Sequence, residues 1–495
     1  MISKANIPTR RQMLDALSAE PEFDVVVIGG GATGLGVAVD AASRGLRVAL
    51  FEKNDFASGT SSKSPKLIHG GVRYLADPRN WGLIREALVE RRTLLTNAPE
   101  LVQPRQFVVP CYSRLKAFWY GAGLSLYSMF SGGGRGMGPV RYVDALGAVA
   151  LLPGLQRKKL KGALCYSDAQ FDDAGLAVAL YQTAVGYGAK VLNYMPVEEM
   201  LTDGRKVTGC VARDSETGER YTVRARAYIN CAGVWVDTIR RMVDVEVGSL
   251  VRVSRGSHVV VDGSFLPTEN AMVVPKTTDG RVLFCIPWQG RTLIGTTDIE
   301  QGQAPFDPQP SSEEIDFMIE NANRYLTRRI RRGDVRASFA GLRPLFAARK
   351  AGLNEGTAKL SRGYAVVPEF KNLLTVAGGK WTSYRAMAES ALATAQQLEL
   401  LQRSGCRTRS LPLVMENRAE AMALQQALLK SPVIDQQLGA RLLAFVRLAA
   451  TRMGARTAQD VLHRRLRLGQ LDAVRTQALM PVVEEMLARV LEKKA

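Results

Sequence analysis

A glycine-rich turn near the N-terminus constrains the fold of this 495-residue chain more than any other feature. Residues 24–30 (DVVVIGG) form an apolar, β-branched run, 32–44 have helix composition, and 47–53 (RVALFEK) form a second apolar run. Between the first two lies GGGATG, residues 29–34, whose glycines permit a tight turn and close backbone approach to a pyrophosphate at a helix N-terminus. Glu52 ends the second run, where a carboxylate accepts hydrogen bonds from adenosine ribose hydroxyls. The pattern predicts a Rossmann-like βαβ unit that binds a dinucleotide, without distinguishing NAD from FAD.

Periodicity and turn residues organise the rest of the chain. Further strands are predicted at 225–232 and 372–377, and apolar residues at a helical period predict a surface helix over 83–95. Strand-like stretches separated by Gly, Pro and Asp turns predict an antiparallel sheet in a second domain, at 258–262, 282–287 and 292–296. From about residue 405 the chain is rich in Leu, Ala and Arg at helical spacing, which predicts a small α-helical C-terminal domain.

The net charge of +19 suits nucleic acid, an anionic membrane or a phosphorylated substrate. The basic runs 157–161 and 328–332 are expected to be solvated, and without an RNA-binding or helix-turn-helix pattern we expect no nucleic-acid partner. The six cysteines lack the spacing of a metal or disulfide framework, so no metal is expected. Residues 1–20 lack the apolar core of a signal peptide, which favours a cytoplasmic protein.

Residues 117–134 lack charged side chains and end near a run of glycines. Their apolar part is shorter than the ~20 residues of a spanning helix. With Arg114 and Lys116 beside several aromatic residues, the segment could lie in a membrane interface, or it could be a buried core helix.

Two segments resemble the paired signatures of the FAD-dependent (aerobic, quinone-linked) glycerol-3-phosphate dehydrogenases: 28–45 (IGGGATGLGVAVDAASRG) and 378–388 (GGKWTSYRAMA). Segments similar to the family follow in its order at 59–75, 169–176, 230–237, 255–261, 294–298 and 341–345, and the resemblance covers roughly 20–390. The tail matches only partly, most clearly over 458–469.

The resemblance implies an α/β fold with a glutathione-reductase-type FAD domain and an antiparallel-sheet substrate domain that covers the flavin. We expect these two to interleave over 1–404 and the helical domain to occupy 405–495. The FAD domain is assigned segments of about 20–80, 150–250 and 365–395, and the substrate domain about 81–149 and 251–364.

The implied cofactor is FAD, and the residues expected to bind it fall in four groups. They are the glycine turn, the end of the second strand, a Thr-Ser-Ser block along the pyrophosphate and flavin, and two later strands. The residues are Gly29, Gly31, Thr33, Gly34, Glu52, Lys53, Thr60, Ser61, Ser62, Ala232, Gly233, Gly379, Lys380 and Thr382.

Oxidation of a secondary alcohol requires hydride transfer from C2 to flavin N5 and a base for the hydroxyl proton. His69, in a glycine-rich turn, and His258 are equal candidates, with Lys380 or a water relay as alternatives. Lys380 could also bind substrate or stabilise the reduced flavin. The third histidine, His463, stands next to Arg464 and Arg465 on the helical tail and is expected at the surface.

A phosphate dianion calls for guanidinium groups that bind its oxygens bidentately. Family positions implicate Arg73, Arg343 and Arg362, with Tyr74 beside them. The expected reaction is oxidation of sn-glycerol 3-phosphate to dihydroxyacetone phosphate, with electrons passed to a membrane quinone or, alternatively, to oxygen. We expect a homodimer bound peripherally to the inner face of the cytoplasmic membrane.

Two other functions stay open on the same fold. A flavin-dependent amine or 2-hydroxy-acid oxidoreductase would need only a carboxylate clamp. A non-catalytic FAD-binding regulator is disfavoured because the candidate site residues are intact.

Overall fold

The structure is a computed structural model that describes residues 7–71, 77–130, 137–347 and 363–492. In chain order the described α-helices are α1 (Arg10–Ala19), α2 (Ala32–Ser43), α3 (Trp81–Asn97), α4 (Arg114–Phe130), α5 (Ala145–Leu151), α6 (Asp173–Gly186), α7 (Val236–Arg241), α8 (Ser312–Asn323), α9 (Tyr384–Gln397), α10 (Arg418–Lys430), α11 (Gln436–Arg452) and α12 (Ala473–Glu492). Over the described ranges, no helix is both long and apolar enough to cross a membrane.

A six-stranded sheet carries the glycine turn. In sheet order its strands are β18 (Tyr364–Glu369), β19 (Leu373–Gly378), β11 (Ala225–Asn230), β1 (Phe23–Ile28), β2 (Val48–Phe51) and β7 (Lys190–Leu192). Neighbours are parallel except for the antiparallel pair β18 and β19. The four strands that the sequence predicted here are all present, with boundaries shifted by a few residues. Because β1 is central and covered on both faces, its residues are almost all buried, as expected for a parallel sheet.

A larger, mostly antiparallel sheet forms the second layer. In sheet order its strands are β16 (Ile299–Gln301), β12 (Val251–Asp262), β15 (Arg291–Gly295), β14 (Leu283–Trp288), β13 (Ala271–Val274), β4 (Val102–Cys111), β6 (Gly162–Phe171) and β3 (Leu67–Ile68), with β17 (Val335–Phe346) paired to β12 and β5 (Arg141–Asp144) to β6. The predicted antiparallel sheet is thus confirmed. Strands β3 and β6 also belong to it, although they fall in segments that the sequence assigned to the FAD domain. A separate three-stranded sheet contains β8 (Val197–Asp203), β9 (Lys206–Arg213) and β10 (Arg220–Val223).

The C-terminal helices share one hydrophobic core with the parallel sheet. Leu442 and Val446 of α11 belong to the same cluster of buried residues as β1 and α2. The predicted helical character of this region is confirmed, and a π-helix (Asp460–Arg465) precedes α12.

The expectation of a surface position for His463 is met only in part, because its side chain is half-buried. Arg464 and Arg465, which follow it in sequence, are buried and both donate to the Asp55 carboxylate. The His463 ring lies so close to Gly469 that a Cβ there would be 2.2 Å from Nδ1. By contrast, the basic runs 157–161 and 328–332 are exposed except for one apolar residue in each, as predicted. The six cysteines are unpaired.

Candidate active site

A cavity of about 1060 Å³ lies between the two large sheets and contains most of the predicted site residues. Its wall includes residues of the glycine turn, β12, β17, the segment after β19, and α4. The predicted residues that line it are Gly31, Thr33, Thr60, Ser61, His69, Gly233, His258, Arg343, Gly379, Lys380 and Thr382.

The turn between β1 and α2 has room only for glycine. Gly29 has a φ of +106°, and a Cβ there would lie 2.7 Å from the Cys231 carbonyl oxygen. A Cβ at Gly34 would lie 1.9 Å from the carbonyl oxygen of Gly29. The turn therefore packs directly against the end of β11 and leaves the N-terminus of α2 open to the cavity, where a helix N-terminus favours an anion.

Glu52 lies directly after β2, next to this turn. Its Oε2 accepts from the Gly30 N–H at 2.6 Å and its Oε1 from the Asn54 N–H at 2.8 Å. Burial raises the pKa of this carboxyl. Each oxygen retains a lone pair, so the side chain can still accept from ribose hydroxyls.

The Thr60-Ser61-Ser62 block is fixed by contacts with three other segments. The Thr60 hydroxyl donates to the Leu342 carbonyl at 2.5 Å. The Ser61 Oγ accepts from the Ala32 N–H at 3.0 Å. Ser62 is instead buried, and its carbonyl accepts from Gln470 at 2.8 Å. The structure thus brings Thr60 and Ser61 to the cavity, whereas Ser62 faces the C-terminal segment.

The segment after β19 adds the second set of predicted contacts. Gly378 and Gly379 have φ values of +81° and +86°, which turn the chain so that Lys380 and Thr382 line the cavity. The Trp381 indole N–H donates to the Ser61 carbonyl at 2.7 Å and ties this segment to the Thr-Ser-Ser block. The side chain of Lys53, also predicted to contact the cofactor, is exposed.

Arg343 is held in β17 opposite Ser254 of β12. Its Nη2 donates to the Thr296 hydroxyl at 2.9 Å and to the Thr297 carbonyl at 3.1 Å, and its Nη1 lies 3.5 Å from Asp298. A Cβ at Gly256 would lie 2.1 Å from Nη2, so this glycine makes the space for the guanidinium. Arg343 is therefore a preoriented cation in the cavity wall.

His258, in β12, is 1% exposed and its ring stacks on Phe339 with centroids 4.8 Å apart. Neither ring nitrogen has a hydrogen-bond partner among the described residues. Burial, together with the charges of Lys66 and Arg343, holds the pKa of His258 well below its usual value. The ring is therefore neutral at pH 7, and its nitrogens are available for hydrogen bonds to a molecule in the cavity.

His69 also lines the cavity, in the glycine-rich turn after β3. The other predicted substrate contacts, Arg73, Tyr74 and Arg362, lie outside the described residues.

Lys66 was missed by the sequence reasoning. It is fully buried, and its Nζ donates to Asp173 and to the Ser62 carbonyl, both at 2.7 Å. Burial lowers its pKa to about 7. Its partner Asp173 lies 107 positions further along the chain, so no local sequence pattern indicated this ion pair.

Sequence comparisons identify a protein family and its curated relatives. A family model described as FAD dependent oxidoreductase matches residues 24–395. The mitochondrial glycerol-3-phosphate dehydrogenase of Mus musculus is 39% identical over 415 residues, which cover 81% of this chain and 56% of that protein. A mitochondrial glycerol-3-phosphate dehydrogenase of Arabidopsis thaliana is 39% identical over 426 residues, covering 83% and 67% respectively. This chain therefore spans little more than half the length of the mouse relative.

Two solved structures are also similar to this chain. The glycerol-3-phosphate dehydrogenase from Bacillus halodurans, complexed with FAD, has a TM-score of 0.75 and 29% identity, covering 97% of this chain and 94% of that one. The L-alpha-glycerophosphate oxidase from Mycoplasma pneumoniae, with FAD bound, has a TM-score of 0.59 at 15% identity, covering 79% and 98%. At that identity the second likeness shows the fold alone.

The cofactor is FAD, and the residues present fit it. The glycine turn leaves open the space that Cβ atoms would fill, Glu52 retains acceptor capacity, and the cavity continues from Gly31 to Lys380. The chain belongs to the FAD-dependent oxidoreductase family and, within it, to the FAD-dependent glycerol-3-phosphate dehydrogenases.

Proposed function

We propose that this chain oxidises sn-glycerol 3-phosphate to dihydroxyacetone phosphate. The observation that carries the proposal is one cavity that joins the dinucleotide turn to a preoriented arginine, a lysine and two histidines. An anionic secondary alcohol needs those groups beside a redox cofactor. The named relatives, at 39% identity, support the same substrate.

Bound FAD supplies a hydride acceptor at flavin N5 for the hydrogen on C2. Arg343 binds the phosphate and sets the direction of C2, because its guanidinium is fixed by three oxygen partners before substrate arrives. Lys380, which lines the same cavity, adds positive charge that stabilises the reduced site.

His258 is our preferred base for the C2 hydroxyl proton. It lines the cavity, and its two buried ring nitrogens lack partners among the described residues, so one of them can accept a proton from a bound alcohol. Replacement His258→Gln should lower kcat by about a hundredfold or more, the usual contribution of a general base. His69→Gln is the matched comparison, and a larger loss in that variant would transfer the role to His69.

The electron acceptor that we propose is a membrane quinone, reached through α4. Leu115, Phe118, Trp119 and Met129 on this helix are 66–71% exposed, while its Trp119, Tyr120, Leu124 and Leu126 line the cavity. Apolar side chains next to Arg114 and Lys116 suit an anionic lipid surface. One helix could thus contact the inner face of the cytoplasmic membrane and admit an apolar acceptor.

Membrane binding can be tested by charge insertion on α4. Phe118→Glu should abolish flotation with vesicles containing anionic lipid, while turnover with a water-soluble dye persists. Val474→Glu, which adds the same charge at an exposed position on α12, is the control. Unchanged flotation of the Phe118→Glu protein would contradict membrane docking by α4.

The substrate is tested anaerobically by mixing the FAD-loaded protein with sn-glycerol 3-phosphate and following flavin absorbance, with a D-amino acid and a 2-hydroxy acid as controls. Bleaching by glycerol 3-phosphate alone supports the proposal. Bleaching only by a control would favour an amine or hydroxy-acid oxidoreductase, and no bleaching would favour a non-catalytic role. Reoxidation by a short-chain quinone, compared with air, then distinguishes the two acceptors. The homodimer remains a prediction.

A further inference from the structure

Tyr127 differs from most of α4 because it is buried, at 2% exposure, on a helix with several exposed apolar residues. Its hydroxyl donates to Asp168 Oδ2 at 2.9 Å. The Tyr127 hydroxyl oxygen also accepts a hydrogen bond from the Gly70 N–H at 2.7 Å. Burial raises the pKa of the phenol well above its usual value, so the group stays protonated and both hydrogen bonds persist across the physiological range.

Asp168, on β6, is the anchor of this arrangement. Its Oδ1 accepts from Arg91 Nη1 of α3 at 2.6 Å, and the carboxylate lines the cavity. Burial raises the pKa of Asp168, against the opposing charge of Arg91. With both oxygens bonded to side chains of two helices, the carboxylate has a fixed orientation.

The turn itself is fitted to the tyrosine ring. A Cβ at Gly70 would lie 2.8 Å from both Cε2 and the hydroxyl oxygen of Tyr127, and 2.9 Å from Leu88. The two neighbours of Gly70, His69 and Gly71, line the cavity.

We propose that Tyr127 is a positioning residue, whose hydroxyl fixes the turn His69–Gly71 to Asp168 and thereby holds the substrate-contacting wall in place. The proposal rests on the function proposed above, in that the substrate to be held is glycerol 3-phosphate. Without the hydroxyl, the Gly70 N–H and Asp168 Oδ2 both lose a buried partner. The turn must then move to find others, and small displacements of positioning groups weaken productive binding.

The test compares FAD-loaded Tyr127→Phe with wild type and with Tyr142→Phe. Tyr142 is the control because its hydroxyl also makes one short bond, 2.6 Å to the Lys161 carbonyl, but at a half-exposed position. We expect Tyr127→Phe to raise KM for glycerol 3-phosphate by about tenfold, the loss of one buried hydrogen bond, with kcat within about twofold. Hydrogen exchange at the Gly70 amide should accelerate in that variant alone.

Wild-type KM together with wild-type exchange at Gly70 in Tyr127→Phe would overturn the proposal. If the variant fails to fold, wild type decides, because a Gly70 amide that exchanges as fast as an open loop amide would exclude the hydrogen bond to Tyr127. Failure of wild type to oxidise glycerol 3-phosphate would refute the proposed function instead, a result that the exchange measurement does not mimic.

Discussion

The C-terminal arginines and Arg343 differ both in burial and in the groups they contact: the side chains of the former are 0–10% exposed, whereas that of Arg343 is 21% exposed. The C-terminal arginines, Arg464, Arg465 and Arg467, are neutralised on folding: the first two share Asp55, and Arg467 donates to Asp173 at 2.6 Å. Arg343 donates at 2.9 Å and 3.1 Å to neutral oxygens of Thr296 and Thr297, and its contact with the Asp298 carboxylate is longer, at 3.5 Å.

The difference separates structural cations from cations that can receive a ligand. A buried carboxylate that serves two arginines has little capacity left for anything else, whereas a guanidinium oriented by neutral oxygens retains most of its charge for an incoming anion. Although burial alone would raise it, the charges of Arg465 and Arg464 hold the pKa of Asp55 below its usual value.

The largest effect is expected for Arg343→Ala. Loss of an oriented cation from the proposed phosphate site should lower kcat/KM by about a thousandfold, roughly 4 kcal/mol, while the melting temperature changes little. Steady-state kinetics with a soluble dye and thermal unfolding measure the two quantities. Arg252→Ala removes a neighbouring cation on β12 that pairs with Glu300 and is the matched control. A normal kcat/KM in the Arg343 variant would erase the distinction between the two groups.

Arg343→Lys sharpens the same point. The charge is kept but the planar pair of donors is lost, so we expect an intermediate loss of about tenfold to a hundredfold in kcat/KM. If lysine restored full activity, charge alone would be sufficient, and the bonds to Thr296 and Thr297 would have no role in orientation.

Asp55→Asn tests the structural group. Two buried guanidinium groups would lose their shared counter-charge, which should lower the free energy of unfolding by about 3 kcal/mol while KM stays within about twofold. Denaturant unfolding of the FAD-loaded protein gives the stability. Asp316→Asn, which breaks the exposed pair with Arg332, should cost less than about 1 kcal/mol. Equal decreases in the free energy of unfolding of the two variants would mean that burial of the C-terminal arginines does not strengthen their ion pairs.

The smallest effect concerns pH and His463. Burial and the charge of Arg464 lower the pKa of His463 to about 4. Between this value and the unfolded pKa of about 6.5, the unfolded chain binds more protons than the folded one, so stability falls as the pH is lowered through this window. Between pH 6.5 and 4.5, the free energy of unfolding of His463→Gln should fall by about 1–2 kcal/mol less than that of wild type. Parallel stability curves for the two proteins would show that this ring is not buried against the arginines.

The sequence predicted the parts of the site that are local. The glycine turn and Glu52 lie within one βαβ unit, and Arg343 could be chosen because a family-like segment surrounds it. The neutralised arginines could not be recognised from the sequence. Asp55, the partner of Arg465, lies 410 positions earlier in the chain, and an arginine-rich helix is by default predicted to be exposed to solvent.

The sequence was also insufficient to predict which residues of α4 are buried. The sequence left open an interfacial segment or a core helix, and the structure contains features of both, because Ala117, Leu124 and Tyr127 are buried while Phe118 and Trp119 are exposed. Composition alone does not say which residues face the protein when nearly every position is apolar. The contact from Tyr127 to Gly70 depends on tertiary packing and has no sequence signature.

The order of strands in the parallel sheet has a consequence for biosynthesis. The central strand β1 ends at Ile28, yet its neighbour β11 begins at Ala225 and the next strand, β19, at Leu373. At ribosomal elongation rates of ~5–20 residues per second, the sheet around β1 stays incomplete for on the order of half a minute until β19 emerges and pairs with β11. During that time the apolar residues of β1 are incompletely buried. Nascent chains that stop before β19 should therefore recruit chaperones and fail to retain flavin.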